Sequence, residues 1–179
     1  DFAKGEHKGP EVMAINPCGQ IGALVDGDTH VFESDAIIRY LAVKYQSDLY
    51  PIADLKRYAL VETYQNHIRQ KVWQNATGLV FHKVFKKVLT GNDPLESDIA
   101  DRENGLDKTL EFMATHFLTE APYLTGANVS IADSTLATAV GHAQKYAGYK
   151  IKNERIAAFM KNYQAQDFYK NDPYYSAPL

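Results

Sequence analysis

Two adjacent residues, Glu33 and Ser34, have side chains that could bind the two charged ends of an amino acid. They follow the strand-like run Thr29 to Phe32 and precede a helical pattern, with Ser34 as the expected N-cap. The free amides and the dipole at a helix start favour an anion. The Ser34 hydroxyl and the following amides could hold a carboxylate, and Glu33 could hold an ammonium group. The alternative is that Ser34 only caps its own helix, since serine is common at that position.

The elements that must position this pair are short and separated by turns. Pro10 to Ile15 predicts a short helix with proline in its first turn, and Asn16 to Gly19 predicts a turn. Ile21 to Val25 and Thr29 to Phe32 predict the two strands of a hairpin. The connecting Asp26-Gly27-Asp28 favours a type I′ turn, because that turn needs positive φ at both central residues.

The second half of the chain has a different texture, with long helical patterns and few breaks. One pattern runs from Leu55 to about Val88, and another covers Ile99 to Leu118. Ser130, followed three positions later by Asp133, predicts a capping box at the start of a further helix. We therefore expect two domains, residues 1–50 and residues 51–179.

Composition narrows the class of protein. The 179 residues are enough for one sizeable core or two small packed domains. The formal net charge of -3 gives no broad attraction to nucleic acid, and no stretch approaches the run of about 20 apolar residues that spans a bilayer. One cysteine excludes an internal disulfide framework and fits a reducing compartment, so we expect a cytoplasmic protein. The first residues include no initiator Met and resemble mid-protein sequence.

Other residues with reactive side chains do not form a site by their spacing. Cys18 lies in a loop without an adjacent basic partner, so we expect no catalytic thiol there. The 6 histidines show no pair at metal-ligand spacing, and we expect no metal site. Lys83, Lys86 and Lys87 predict a solvated basic helix face.

Several motifs occur together and in order: Lys4-Gly5-Glu6-His7-Lys8, Asn16-Pro17-Cys18-Gly19-Gln20-Ile21, Glu33-Ser34, Leu49-Tyr50-Pro51 and Ser130-Ile131-Ala132-Asp133. As a set they resemble the cytosolic glutathione transferases, most closely the theta and related classes. The resemblance covers nearly the whole chain. It implies an α/β thioredoxin-like N-terminal domain followed by an all-α helical bundle domain.

The resemblance also implies that the N-terminal domain binds glutathione as a co-substrate. Ser34 would bind the γ-glutamyl carboxylate, with Glu33 near the amino group. Ile21 would offer backbone hydrogen bonds to the cysteinyl part of the tripeptide. Ser130 and Asp133 carry over as folding residues. The residues that would contact or lie near the glycyl carboxylate are His7, Gln20 and Lys8.

The sequence departs from the family's pattern at two points. The family has a cis-proline directly after the Ile21 position, whereas this chain has Gly22, so we expect a weaker hold on glutathione. The family's first strand and helix, with the Tyr, Ser or Cys that stabilises the glutathione thiolate, precede the point where this sequence starts. We therefore expect an incomplete N-terminal domain, and the resemblance assigns no catalytic residue within this chain.

Three functional hypotheses remain open. The first is a glutathione transferase that conjugates the thiolate to apolar electrophiles and forms a homodimer through its long helix. The second is a related protein with little or no activity that serves as a structural or interaction subunit of a larger assembly. The third is other glutathione-dependent chemistry, such as dehalogenation or peroxide reduction. The long helix carries four aromatic residues that would line a dimer interface or a substrate cleft, or belong to the ordinary core: Tyr64, Trp73, Phe81 and Phe85.

Overall fold

The computed structural model describes residues 4–118 and 121–172. The chain divides into two compact units between Ala53 and Asp54. The first unit combines helices with a small sheet, whereas the regular elements of the second are helical. The division falls where short, turn-punctuated elements give way to long helical patterns.

An antiparallel hairpin between two helices forms the first unit. A 3-10 turn at Glu6–Lys8 precedes α1 (Pro10–Ile15), and Pro10 occupies a first-turn position where its missing N–H is not needed. Strands β1 (Ala23–Asp26) and β2 (Thr29–Phe32) pair antiparallel, and α2 (Ser34–Lys44) follows β2 directly. The predicted short helix and hairpin are confirmed.

The hairpin turn differs from the predicted type. Asp26 pairs with Thr29, which leaves Gly27 and Asp28 as the two turn residues. Of these two, only Gly27 has a positive φ, 58°. The type I′ prediction is therefore wrong, because that turn needs positive φ at both positions. Glycine first and an ordinary residue second is the type II′ pattern.

A continuous helical run opens the second unit. It comprises α3 (Leu55–His67), α4 (Gln74–Val80) and α5 (Lys86–Thr90), joined by π-helical segments at Ile68–Trp73 and Phe81–Phe85. The predicted long helix is thus confirmed, with π-helical turns that the apolar pattern does not reveal. The Asp54 carboxylate caps the start by accepting from the Arg57 amide at 3.0 Å, and Gly91, with φ 72°, ends the run.

The remaining helices complete the core of the second unit. They are α6 (Glu96–His116), α7 (Ile131–Ala147), α8 (Glu154–Gln164) and α9 (Asp167–Lys170). Helix α4 packs against α6 and α7, and α8 packs against the same two helices. In the part of the chain that the structure describes, none of the helices combines the length and the hydrophobicity that a membrane span requires. The fully buried apolar side chains that fill this core include Val61, Ile68, Val72, Leu79, Leu106, Met113, Leu136, Val140 and Ile156.

Two glycines allow α4 and α6 to approach closely. A Cβ at Gly105 would lie 2.6 Å from Oδ1 of Asn75, and a Cβ at Gly78 would lie 2.9 Å from the Arg102 side chain. Both distances are shorter than a van der Waals contact. Each helix therefore presents a glycine where the other presents a polar side chain.

The start of α7 is fixed by the predicted capping box. Ser130 donates to Oδ2 of Asp133 from its amide at 2.8 Å and from its hydroxyl at 2.6 Å. The Leu124 amide donates to the other carboxylate oxygen at 2.8 Å. Burial raises the pKa of Asp133, against the opposing effect of these hydrogen bonds. The predicted capping box is confirmed, and it also anchors the loop that precedes α7.

Candidate functional site

Glu33 has an unusual backbone conformation at the junction of β2 and α2. Its φ is 70° and its ψ is 119°, although it is not a glycine. L-residues rarely adopt positive φ, and a residue held there stores roughly 1–3 kcal/mol of strain. Such strain persists where the surrounding structure imposes it, often at binding sites. The exposed Glu33 side chain is thereby presented at the start of α2.

Ser34 does not act as the helix cap. Glu33 occupies the N-cap position, Ser34 is the first residue of α2, and the described residues form no side-chain cap hydrogen bond at this end. The prediction that Ser34 is the N-cap is therefore wrong, and so is the alternative that it only caps its helix. The helix therefore starts one residue earlier than predicted, with the positive φ at Glu33 immediately before its first residue.

The first turn of α2 can accept an anion. The Ile37 amide donates to the Glu33 carbonyl at 3.0 Å and so begins the hydrogen-bond ladder of the helix. The amides before Ile37, Ser34 among them, lie ahead of that ladder and at the positive end of the helix dipole. The Ser34 hydroxyl is exposed beside them. This end of α2 offers hydrogen-bond donors to a carboxylate.

Asn16 organises the loop that contains Gln20, a role that the sequence patterns did not reveal. The Asn16 side chain is buried, donates to the Gln20 carbonyl at 2.7 Å and accepts from the Cys18 amide at 3.1 Å. The Gly19 amide donates to the Asn16 carbonyl at 3.0 Å. One buried amide therefore sets the course of the loop toward Ile21. The available signal was an asparagine at the start of a Pro- and Gly-containing turn.

Ile21 precedes the hairpin and lies exposed, with 62% of its surface accessible. Its peptide bond to Gly22 is cis. The ladder of the hairpin begins at Ala23, so the backbone amide and carbonyl of Ile21 lie outside it. A Cβ at Gly22 would lie 3.3 Å from Cδ1 of Ile37, which places this segment against α2, one turn beyond Ser34.

The 3-10 turn contributes the remaining predicted contacts. Lys8 lies against the Gln20 loop, since a Cβ at Gly19 would be 3.5 Å from Cγ of Lys8. His7 is half-buried on the same turn. Lys8 therefore packs against the loop that contains Gln20, and Gly22 packs against α2, the helix that begins at Ser34. The roles of Ser34, Glu33, Ile21, His7 and Gln20 in ligand binding remain predictions.

Aromatic side chains of the second unit divide into two groups. Trp73 is half-buried, with the Arg69 guanidinium 4.3 Å from its ring centroid and the His142 ring 5.9 Å away. Burial lowers the pKa of His142, and the charge of Lys145 lowers it further. Tyr64 packs against Phe117 at 4.4 Å between centroids. Phe81 and Phe85 are 37% and 46% exposed, so the alternative that they belong to the core of the unit is wrong for these two residues.

In residues 4–118 and 121–172 no group of three or more His, Cys, Asp or Glu is placed to hold a metal ion. Cys18 is an exposed free thiol in the Gln20 loop.

Comparison with known proteins identifies the family. Residues 1–43 match the model of the glutathione S-transferase N-terminal domain. Glutathione S-transferase 3 of Zea mays is 38% identical over 141 residues, which cover 75% of this chain and 60% of the relative. Human glutathione S-transferase T1-1, solved in its apo form, is 30% identical with a TM-score of 0.83, and the match covers 92% of this chain and 70% of that one.

A third match is human glutathione transferase theta-2, solved in complex with glutathione and an unknown ligand. It is 29% identical with a TM-score of 0.79, over 92% of this chain and 68% of that one. The chain belongs to the cytosolic glutathione transferase family. The expected fold class, a thioredoxin-like α/β unit followed by a helical unit, is confirmed by these structures. The chain spans about three fifths of the length of the curated relatives it matches.

Proposed function

We propose that the protein is a glutathione transferase that joins the glutathione thiolate to apolar electrophiles. The observation that carries this proposal is the junction of β2 and α2. Ser34 and the first-turn amides offer donors to a carboxylate, and the strained Glu33 presents a carboxylate to an ammonium group. These two charged groups lie together at the γ-glutamyl end of glutathione. The theta-2 relative, which was solved in complex with glutathione, supports glutathione as the ligand.

The other predicted contacts would bind the cysteinyl and glycyl parts of glutathione. The exposed backbone of Ile21 would pair with the cysteinyl part, and Gln20 and His7 would lie near the glycyl carboxylate. These residues bind and orient the thiol. Conjugation needs the thiolate, because a free thiol with a pKa of about 8.5 is mostly protonated at neutral pH. The thiolate sulfur then forms a bond to an electrophilic carbon, and the bond from that carbon to its leaving group breaks, so that the leaving group departs with the electron pair. The group that stabilises the thiolate is not assigned to a residue of this chain.

Two further parts complete the proposal. The protein would act in the cytoplasm, consistent with its family and with the single exposed thiol. It would also form a homodimer, for which the exposed apolar residues of the long helical run provide support.

Calorimetric titration with glutathione tests the carboxylate site. Removal of the Ser34 hydroxyl takes away one hydrogen bond to a charged group, so Ser34→Ala should weaken binding roughly 10–100-fold. Ser97→Ala is the matched control, because Ser97 is also exposed in the first turn of a helix, α6. The control should bind glutathione as the unmodified protein does.

Two results would contradict the proposal. Equal affinity of Ser34→Ala and Ser97→Ala would remove the assigned site. An unmodified protein that shows no heat of binding would remove glutathione as the ligand and leave the interaction-subunit hypothesis.

A further inference from the structure

A cleft of about 360 Å³ lies between the end of α7, with the residues that follow it, and one face of α8. It is named here the α7–α8 cleft. Tyr149 and Met160, which are 2% and 3% exposed, supply its apolar surface. A cavity of this size is in the range that holds small organic ligands. All of its lining residues belong to the second unit, whereas the residues predicted to bind glutathione belong to the first.

The α7–α8 cleft carries two positive charges without a counter-charge. Lys150, after α7, and Lys161, on α8, are exposed and line it. None of the described residues that line the cleft is acidic. Within residues 4–118 and 121–172 neither lysine forms an ion pair. The cleft is therefore basic, although the chain has a formal net charge of -3.

Lysines elsewhere in the second unit are compensated within the chain. Several have an acidic partner at 2.6 to 2.9 Å: Lys86 with Asp98, Lys87 with Asp93, and Lys152 with Asp107. Lys83 donates to the Ala147 carbonyl at 3.0 Å. The prediction of a solvated basic face is therefore wrong for Lys83 and Lys86. Lys150 and Lys161 differ from these residues, because their charges are available to a ligand.

Two carboxamides add hydrogen-bond donors to the same cleft. Gln144 lies in the last turn of α7, and Gln164 is the last residue of α8. A carboxamide offers two N–H donors and an ammonium group offers three. Lysine near a helix end often serves only to offset the helix dipole. At the end of α7, however, amides already bind the carbonyls: Gly148 donates to Gln144 at 3.2 Å, and Tyr149 donates to Ala143 at 3.1 Å.

We propose that the α7–α8 cleft binds a phosphomonoester, which goes beyond the proposed glutathione chemistry. The phosphate lies between Lys150 and Lys161, and its apolar ester group lies on Tyr149 and Met160. A phosphomonoester carries a charge of about -1.5 to -2 at neutral pH and has three acceptor oxygens, so it matches two ammonium groups. A carboxylate carries one charge and leaves one lysine uncompensated.

Calorimetric titration with phenyl phosphate tests the cleft. Saturating glutathione is present throughout, so that any site for it in the first unit is occupied. Lys150→Gln and Lys161→Gln each remove one charge but keep a long polar side chain, so each should weaken binding at least about tenfold. Lys56→Gln is the matched control, because Lys56 is an exposed lysine in the first turn of α3. It should bind phenyl phosphate as the unmodified protein does.

Two further probes test the class of ligand. Benzoate keeps the ring but has one charge, and inorganic phosphate keeps the charge but has no apolar group. Each should bind at least about tenfold more weakly than phenyl phosphate. The three substituted lysines are exposed, so far-UV circular dichroism should show unchanged folding.

Four results would overturn the inference. An unmodified protein that gives no heat with phenyl phosphate has no such site. Equal affinity of Lys150→Gln, Lys161→Gln and Lys56→Gln would place the binding outside the cleft. Benzoate that binds as tightly as phenyl phosphate would remove the phosphomonoester as the class of ligand, and equally tight inorganic phosphate would remove the role of the apolar surface. The glutathione titration of Ser34→Ala is independent of all four, so failure of the proposed function is distinguishable from failure of this inference.

Discussion

The phenol of Tyr40 donates a 2.7 Å hydrogen bond to the carboxylate of Asp26, which ties helix α2 to strand β1. The Lys44 ammonium donates to the same oxygen. These bonds hold the pKa of Asp26 below its usual value, with Lys44 the larger cause and Tyr40 the second. The same contacts raise the pKa of Lys44 and of Tyr40.

This cluster should stabilise the first unit in a defined pH range. A carboxylate with a lowered pKa contributes stability above its unfolded pKa, about 3.9, and loses it as the pH falls through the folded pKa. The raised pKa values of Lys44 and Tyr40 mean that their contributions are present below their unfolded values and are lost as the pH rises further. Asp26→Asn should therefore lower the protection of β1 amides against hydrogen exchange at neutral pH.

As the pH falls below about 4, the β1 amides of the unmodified protein should lose protection, because the Asp26 carboxylate becomes protonated. In Asp26→Asn the same amides should lose less protection over this pH range, because the variant has no carboxylate at this position. Hydrogen exchange, corrected for intrinsic rates, measures both profiles. Asp28→Asn, at an exposed turn position of the same hairpin, is the control and should keep the unmodified profile. An identical acid profile for Asp26→Asn and the unmodified protein would show that the cluster adds no stability.

Asn16 provides a test of how the loop that contains Gln20 is positioned. Its side chain holds the Gln20 carbonyl and the Cys18 amide, and it is buried. Asn16→Ala leaves these groups without their partner, a loss of about 1–3 kcal/mol. We expect glutathione binding to weaken roughly tenfold or more while the second unit keeps its stability. Asn66→Ala, on an exposed face of α3, should have no effect on the titration.

The fold was largely predictable because its elements depend on local signals. The hairpin follows from a glycine turn between strand-forming runs, and the capping box of Ser130 and Asp133 follows from two residues three apart. The conformation of Glu33 was not predictable, because an L-residue adopts positive φ only when tertiary contacts impose it. The same holds for Asn16, whose role depends on burial that a turn motif does not encode.

The exposure of Phe81 and Phe85 was not predictable for a related reason. An apolar residue every three or four positions predicts a helix, but the pattern does not state which side faces the core. Phe81 and Phe85 are 37% and 46% exposed, whereas Lys86 lies 2.9 Å from the Asp98 carboxylate of α6 and Lys83 donates to the Ala147 carbonyl at 3.0 Å. The partner of a helix face is tertiary information.

Trp73 is the single tryptophan of the chain and reports on His142 beside it. Burial and Lys145 lower the pKa of His142 from 6.5, so the folded state favours the neutral imidazole. Its contribution to stability is present above the unfolded pKa and is lost as the pH falls through the lower folded value. We expect Trp73 fluorescence to change with a midpoint below pH 6.5.

His142→Gln should abolish that fluorescence transition, whereas His116→Gln, which alters a ring near Phe112, should preserve it. A midpoint at or above 6.5, or a transition that persists without His142, would assign the signal to another group.

Because α4 and α6 approach closely, the effect of Gly105→Ala on stability should change sign with the presence or absence of the Asn75 side chain. In Gly105→Ala the new Cβ would meet Asn75, whose side chain also donates to the Lys71 carbonyl at 2.8 Å. The displaced amide should cost about 1–3 kcal/mol, which exceeds or cancels the gain of about 1 kcal/mol in helix propensity. In the Asn75→Ala background the obstacle is gone, so Gly105→Ala should stabilise the protein by up to about 1 kcal/mol. Urea unfolding followed by Trp73 fluorescence gives the free energies of unfolding of the unmodified protein, the two single variants and the double variant. Additive effects of the two substitutions would show that the two side chains do not compete for one space.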